Sequence, residues 1–301
     1  MTNQDSQKPY FNWMKFRPLY FILSASVLLI GLVSFVQWNF NLGVEFTGGT
    51  NVEYSFESPV ETEQISKSLE EKDIRPTSVQ KTGDSKIYIL KFGEVNEEQK
   101  ETINNSLKAI GGEKSALLRF EQVGPAISGE LLRKTAYAIF ISTFVILAWI
   151  AYQFKSVKFG ISATIATFHD AFIVLGLFSL LGHFFNAEVD YLFVTALLTI
   201  LSFSVHDTIV VYDRIREIRR KHGGSVAEVA NRALSETMKR SLFNSFTILI
   251  MLIALVVLGG NTIRWFAVAL MIGTISGTYS SPFVAVPVLV TWEQIQKRRQ
   301  K

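Results

Sequence analysis

Six runs of about twenty predominantly apolar residues, at 18–38, 135–154, 159–181, 191–212, 242–259 and 265–292, restrict this chain more than any other feature of it. A hydrocarbon core of about 30 Å takes roughly 20 helical residues to cross. Lipid offers no hydrogen bonds to backbone N–H and C=O groups, so such a run spans as a helix that pairs its own backbone. The sequence therefore predicts a polytopic α-helical membrane protein with six transmembrane helices. Pro282 and Pro287 interrupt the last run and predict a kink or tilt there. With 49% hydrophobic residues and only 19% charged, the balance is too apolar for an ordinary soluble domain. The absence of cysteine excludes disulfides, thiolate metal sites and cysteine nucleophiles.

The net charge of +4 conceals a division. Residues 39–130 carry sixteen acidic side chains against ten basic ones, a net −6, and the remainder ten against twenty, a net +10. The excess positive charge sits at the ends of the apolar runs, which points to membrane topology and not to nucleic acid. Lys8, Lys15 and Arg17 flank the first run, Lys155 and Lys158 follow the second, and 213–241 is strongly basic. Lys297, Arg298, Arg299 and Lys301 close the chain. Both termini are therefore expected in the cytoplasm; Arg133 and Lys134 dissent, beside a long translocated segment that weakens the rule. The first apolar run outlasts a signal-peptide core and reads as an uncleaved helix. The expected organisation is a cytoplasmic tail at 1–17, a first membrane helix at 18–38 and an extracytoplasmic domain at 39–130. Five more helices follow over 131–292 with a basic cytoplasmic loop at 213–241, then a tail at 293–301.

Within 39–130, residues 51–57 alternate Val52, Tyr54 and Phe56 against Glu53, Ser55 and Glu57, the pattern of a half-buried strand. Ile65 and Leu69 mark a helix after Pro59, and short strands are expected at 77–81 and 86–92. Ile103, Leu107 and Ile110 mark a second helix that Gly111-Gly112 ends. Ala116, Leu118 and Phe120 alternate in a last strand. The order βαββαβ is that of a ferredoxin-like α+β domain. No catalytic motif lies in it, and a small acidic domain outside the membrane reads as a contact surface.

The most informative side chain in the six runs is Asp207. A carboxylate in hydrocarbon costs about 2.5–3.5 kcal/mol on insertion scales, so such a group marks a protein interior or an ion path. His206 precedes it, and the preceding run repeats the pair as His169-Asp170. Proton handling is the favoured reading; helix-packing hydrogen bonds and a His/carboxylate metal site are the alternatives. Against a metal, consecutive ligands point apart on a helix and no HExxH motif is present. Arg240 is the cation placed to reach Asp207, its stem running along apolar surface; supply of positive-inside charge is the competing meaning. Gly48-Gly49, in LGVEFTGGT at 42–50, allows positive φ or close backbone approach; no lysine follows, so it is not a phosphate loop. Ala269, Gly273, Gly277 and Ser281 recur every four residues and let another helix approach closely, in this chain or a partner. Ser225 and Glu228 form a capping box opening an amphipathic helix expected along the membrane interface.

LGVEFTGGT at 42–50, FHDAFIVLGLF at 168–178, SFSVHDTIVVYDRIRE at 202–217 and GTISGTYSSPFVAVPVL at 273–289 together resemble the SecF branch of the SecD/SecF family. That family lies within the resistance-nodulation-division superfamily, and the likeness covers nearly the whole chain. The resemblance implies a non-enzymatic, cofactor-free auxiliary subunit of the Sec translocase in the bacterial cytoplasmic membrane. It would work with SecD, using proton motive force to promote export after the SecA-driven step. Asp207 would correspond to the family's proton-carrying carboxylate and Arg240 to its partner arginine, with His206, His169 and Asp170 along the same path. Implied partners are SecD, the SecYEG channel, YajC and YidC, the translocating unfolded polypeptide and membrane lipid, with no nucleic acid. A proton-coupled exporter of small molecules or lipids from the same superfamily is the alternative, although such exporters usually carry about twelve spans and two outer domains. An intramembrane metalloenzyme is a further rival.

Overall fold

The computed structural model describes residues 10–81 and 86–299. Lys8 and Lys301, counted above toward orientation, lie outside the described residues. In chain order the elements begin with a 3-10 turn, Trp13–Phe16, then α1 (Arg17–Trp38) and a short α2 (Val44–Thr47). β1 (Gly49–Ser55), α3 (Thr62–Glu70), β2 (Ser78–Lys81), β3 (Ile87–Phe92), α4 (Glu97–Gly111) and β4 (Ala116–Val123) follow. The remainder is helical: α5 (Pro125–Phe154), α6 (Val157–Phe185), α7 (Tyr191–His222), α8 (Val226–Leu258), α9 (Asn261–Ser280), a π turn at Ser281–Ala285, and α10 (Val286–Arg299). Two compact units result, Leu42–Tyr137 and the rest of the chain.

Among the described residues six helices are long and apolar enough to span a bilayer, the last being α9, the π turn and α10 in succession. Burial separates them into centre and periphery. Roughly half of the α6, α7 and α9–α10 spans is buried (56%, 50% and 56%), against 6% for α5 and 17% for α1 and α8. The kink expected at the prolines takes the form of the π turn. Pro282 cannot donate a backbone hydrogen bond, and the Val286 N–H reaches back five residues to the Ser281 carbonyl.

The basic segment 213–241 between the fourth and fifth spans is helical at both ends: α7 runs on to His222 and α8 starts at Val226. Lys221 bonds Glu217 at 2.7 Å one turn away, Arg214 pairs with both Glu217 and Glu236, and the Ser225–Glu228 capping box opens α8. Only Gly223-Gly224, at φ +66° and +96°, breaks the helices. The amphipathic half of α8 is therefore no separate interfacial helix. Its Val226, Val229, Ala230, Ala233 and Leu234 are buried in the main core with Ile215 and Ile218 of α7 and Leu289 and Val290 of α10.

α1 packs on α6 at two glycines. A Cβ on Gly176 would lie 2.5 Å from the Gly31 Cα, and one on Gly31 would lie 2.9 Å from the Gly176 Cα. Because the obstacle is backbone, the helices themselves would have to part. Gly176→Leu should therefore destabilise the membrane unit toward the top of the roughly 1–3 kcal/mol range for overpacking. A thermal unfolding midpoint in detergent equal to that of the parent would show that this contact is dispensable.

The unit Leu42–Tyr137 holds a four-stranded antiparallel sheet in the order β2-β3-β1-β4. That order, with α3 and α4 as the crossovers, is the ferredoxin-like arrangement. Val52, Tyr54, Phe56, Tyr88 and Leu90 face Ile65, Leu69, Ile103 and Leu107 in one buried cluster. An Asn96–Gln99 capping box starts α4, and Gly112 at φ +92° ends it. β4 departs from simple alternation. Glu53 of β1 faces Arg119, but Tyr54 faces Leu117, so Leu118 bulges out and is 52% exposed.

Candidate functional site

α6, α7 and α9 converge on one carboxylate. Asp170 of α6 is fully buried. Its Oδ1 accepts a hydrogen bond from Ser276 at 2.5 Å; its Oδ2 accepts from Ser204 at 2.5 Å and from Ser280 at 2.6 Å. His169 Nδ1 lies 3.0 Å from Oδ1. Ser276 and Ser280 are four residues apart and so share one face of α9. Gly277 between them faces α7, where a Cβ would sit in ordinary contact 3.4 Å from the Ser204 Cα. One turn earlier the Ile200 side chain of α7 fills the space a Gly273 side chain would need. Ser281, at the start of the π turn, has its Oγ 2.9 Å from Thr208 Oγ1. The neighbour of the small-residue stripe, left open by sequence, is thus α7 of the same chain. A carboxyl group that accepts three hydroxyl hydrogen bonds from two other helices ties the three helices together.

Asp207 has the opposite surroundings. It stands three residues beyond Ser204 on α7 and is only 3% exposed, yet its Oδ2 has no hydrogen-bond partner among the described residues. Arg240 of α8 lies within electrostatic reach of it without closing a hydrogen bond, and is itself exposed. His206 is exposed, because successive helical residues are rotated by about 100°. The two His-Asp pairs are therefore not equivalent. His169 is buried, bonded through Nδ1, with Nε2 lacking a partner; His206 faces outward. Near Asp207 the packing is tied by Tyr212, whose hydroxyl lies 2.6 Å from Ser162 Oγ and donates to the Ala285 carbonyl at 3.2 Å. The π turn therefore lies within one hydrogen bond of the helix that carries Asp207. Such turns are frequent at functional sites because they loosen the i to i−4 ladder.

A signal that the sequence reading passed over lies on the outward face of α7. Thr195, Thr199, Ser202 and His206 are all exposed, at spacings of four, three and four, and Asp213 continues the line. The spacing was legible as a helical stripe; what hid it was its position inside an apolar run.

Gly48 and Gly49 sit in the unit Leu42–Tyr137 at φ +75° and +116°, and a Cβ on Gly49 would meet the Phe92 carbonyl oxygen at 2.6 Å. Together they turn the chain from α2 into β1, with the Gly48 N–H bonded to the Val44 carbonyl at 2.8 Å. No group of three or more His, Asp or Glu side chains able to hold a metal occurs among the described residues.

The family model described as "Protein export membrane protein SecD/SecF, C-terminal" matches residues 102–295, and that described as "SecD/SecF GG Motif" matches 40–60, which include the glycine pair. The protein translocase subunit SecF of Thermobaculum terrenum is 38% identical over 296 residues, covering 93% of this chain and 93% of its own length. SecF of Vibrio alginolyticus is 35% identical, covering 92% of this chain and 87% of its own. The fused protein translocase subunit SecDF of Thermus thermophilus is 35% identical over 97% of this chain, which spans 40% of the fused protein. A crystal structure of the Thermus SecDF, described as a translocon-associated membrane protein, superposes with a TM-score of 0.85 at 32% identity, over 98% of this chain and 40% of that one. The chain belongs to the SecD/SecF family of protein-export membrane proteins.

Proposed function

We propose that this chain is the SecF-side half of a proton-driven auxiliary complex of the Sec translocase, acting after the SecA-driven step of export. The observation that carries this reading is the contrast between two acids: Asp170 saturated by serines, Asp207 buried with an unpaired oxygen and an arginine in reach but not bonded. A group that gains and loses a proton must be stable in both forms, and Asp207 has neither a fixed hydrogen bond nor a closed ion pair to hold it in one. Approach of Arg240 favours the carboxylate, and withdrawal in a desolvated site favours the acid. His169 and Asp170 form the fixed end of the same helix cluster, and His206 flanks the carrier on its outward side. Each proton that crosses supplies about 2.3 kcal/mol per 100 mV, enough to bias a conformational equilibrium of the outer unit.

The partner is a SecD-like half. SecF and SecD sequences occur as one fused chain in Thermus thermophilus and Bacillus subtilis, and this chain matches 40% of each. The stripe Thr195, Thr199, Ser202, His206 on α7 suits a protein neighbour better than lipid, because polar side chains in a bilayer turn toward one another. SecYEG, YajC, YidC and the translocating polypeptide complete the proposed set, in the bacterial cytoplasmic membrane with both termini inside. Proteoliposomes holding the chain, its SecD-like half and the translocon test this. An imposed proton gradient should speed completion of precursor export once ATP is exhausted. Export indifferent to the gradient would reject the reading.

A further inference from the structure

Between α1 and α10 lies a groove of about 510 Å³, away from the proton site. One part of it is apolar, formed by Phe21, Trp292 and Ile295; the rest presents Thr291, Gln296 and Arg299. Three observations point to its occupant. The Thr291 hydroxyl oxygen is buried and has no hydrogen-bond partner among the described residues. The cations Lys297, Arg298 and Arg299 follow one another at the end of α10, where a helix C-terminus alone would repel an anion. The nearby acid, Glu293, is spent on Arg219 of α7, through bonds of 2.7 and 3.1 Å, and so does not neutralise them.

We propose that this groove binds one anionic glycerophospholipid of the cytoplasmic leaflet. Gln296 and Arg299 lie five and eight residues beyond Thr291, about 7.5 and 12 Å along the axis at 1.5 Å per residue. Long helical side chains lean back toward the N-terminus, which brings the Arg299 guanidinium nearer to Thr291. The lipid phosphate then lies against Arg299 and Gln296. A glycerol ester carbonyl, one level deeper, accepts the hydrogen bond of Thr291. An acyl chain runs over Phe21 and Ile295 beside Trp292, a residue type at home in the interface. Arg17 at the start of α1 bonds Gln294 at 2.8 Å and holds the two walls together at headgroup level. Basic pockets between membrane helices on the cytoplasmic side are the usual setting for such recognition. The site does not depend on the proton reading and would stand if that reading fell.

Native mass spectrometry of the full chain, titrated in micelles with phosphatidylglycerol or phosphatidylcholine, tests it. Phosphatidylglycerol should be retained in preference, and Arg299→Gln should weaken it by about fivefold, the effect of one surface charge, and phosphatidylcholine by less, because the choline cation offsets the charge of its phosphate. Thr291→Val should weaken both lipids alike, and Thr291→Ser should restore them. Glycerol 3-phosphate should not compete, since without an acyl chain it gains nothing from the apolar part. Equal retention of both lipids that is indifferent to Arg299→Gln would overturn the proposal. So would displacement by glycerol 3-phosphate, which would make the groove a soluble-phosphate site, or phosphatidylglycerol binding untouched by Thr291→Val.

Discussion

Replacing Asp207 by Asn should remove all of the gradient-dependent stimulation of export while leaving the chain inserted, folded and bound to its SecD-like half. Asparagine keeps the size of the side chain and stays neutral, so it freezes the site close to its protonated state. Asp207 makes no hydrogen bond through Oδ2 that the change would break. The cost to folding should be small, because no bond through Oδ2 is lost and a buried ionisable group becomes a neutral one of the same size. The functional cost is large. About 2.3 kcal/mol per 100 mV biases a two-state equilibrium by about fiftyfold, and the variant forfeits that bias entirely. Asp207→Glu, which keeps an ionisable group, should retain part of the response. Export with and without an imposed gradient checks this; a gradient response in Asp207→Asn equal to the parent's would remove Asp207 from the mechanism.

The second large effect belongs to Asp170 and should appear as lost stability. Asp170→Ala deletes the acceptor for Ser204, Ser276 and Ser280 and leaves His169 with both ring nitrogens unpaired. A buried polar group left without its partner costs about 1–3 kcal/mol, and part is recovered as the serines turn to their own helix carbonyls. A net loss on the order of 3 kcal/mol is expected, read as a lower thermal midpoint of the purified protein. Asp170→Asn retains one carbonyl acceptor and should fall between parent and Ala. An Asp170→Ala protein as stable as the parent would show that the serine cage does not hold α6, α7 and α9 together. The two acids thus predict a crossed outcome: coupling without stability at Asp207, stability at Asp170.

Much of this was legible in the sequence because the physics is local. Run length fixes membrane helices, since hydrocarbon leaves the backbone no other partner, and all six runs became helices. Alternation at 51–57 and the spacings Ile65/Leu69 and Ile103/Leu107 carried the outer βαββαβ order in the same way. The capping box at Ser225 was also local and appears as read. What sequence could not supply is convergence across distance. Ser204, Ser276 and Ser280 stand 34, 106 and 110 residues from Asp170, and nothing in their own segments marks them as its donors. For the same reason the two His-Asp pairs looked alike until burial separated them. The Gly31–Gly176 contact lies between helices far apart in the chain and left no motif. α7 continues past its apolar run to His222, where Glu217 and Lys221, four residues apart, satisfy each other along it. In β4 a single bulge reversed the side chosen by simple alternation, and turned Leu118 outward.

Infrared difference spectroscopy of the carboxyl stretch, on membranes holding the complex with and without an imposed proton gradient, tests the central claim most directly. The account predicts a protonated-carboxyl band that rises and falls with the gradient and is absent in Asp207→Asn but present in Asp170→Asn. A band that Asp207→Asn leaves intact, or an Asp207 signal that does not respond to the gradient, would contradict it.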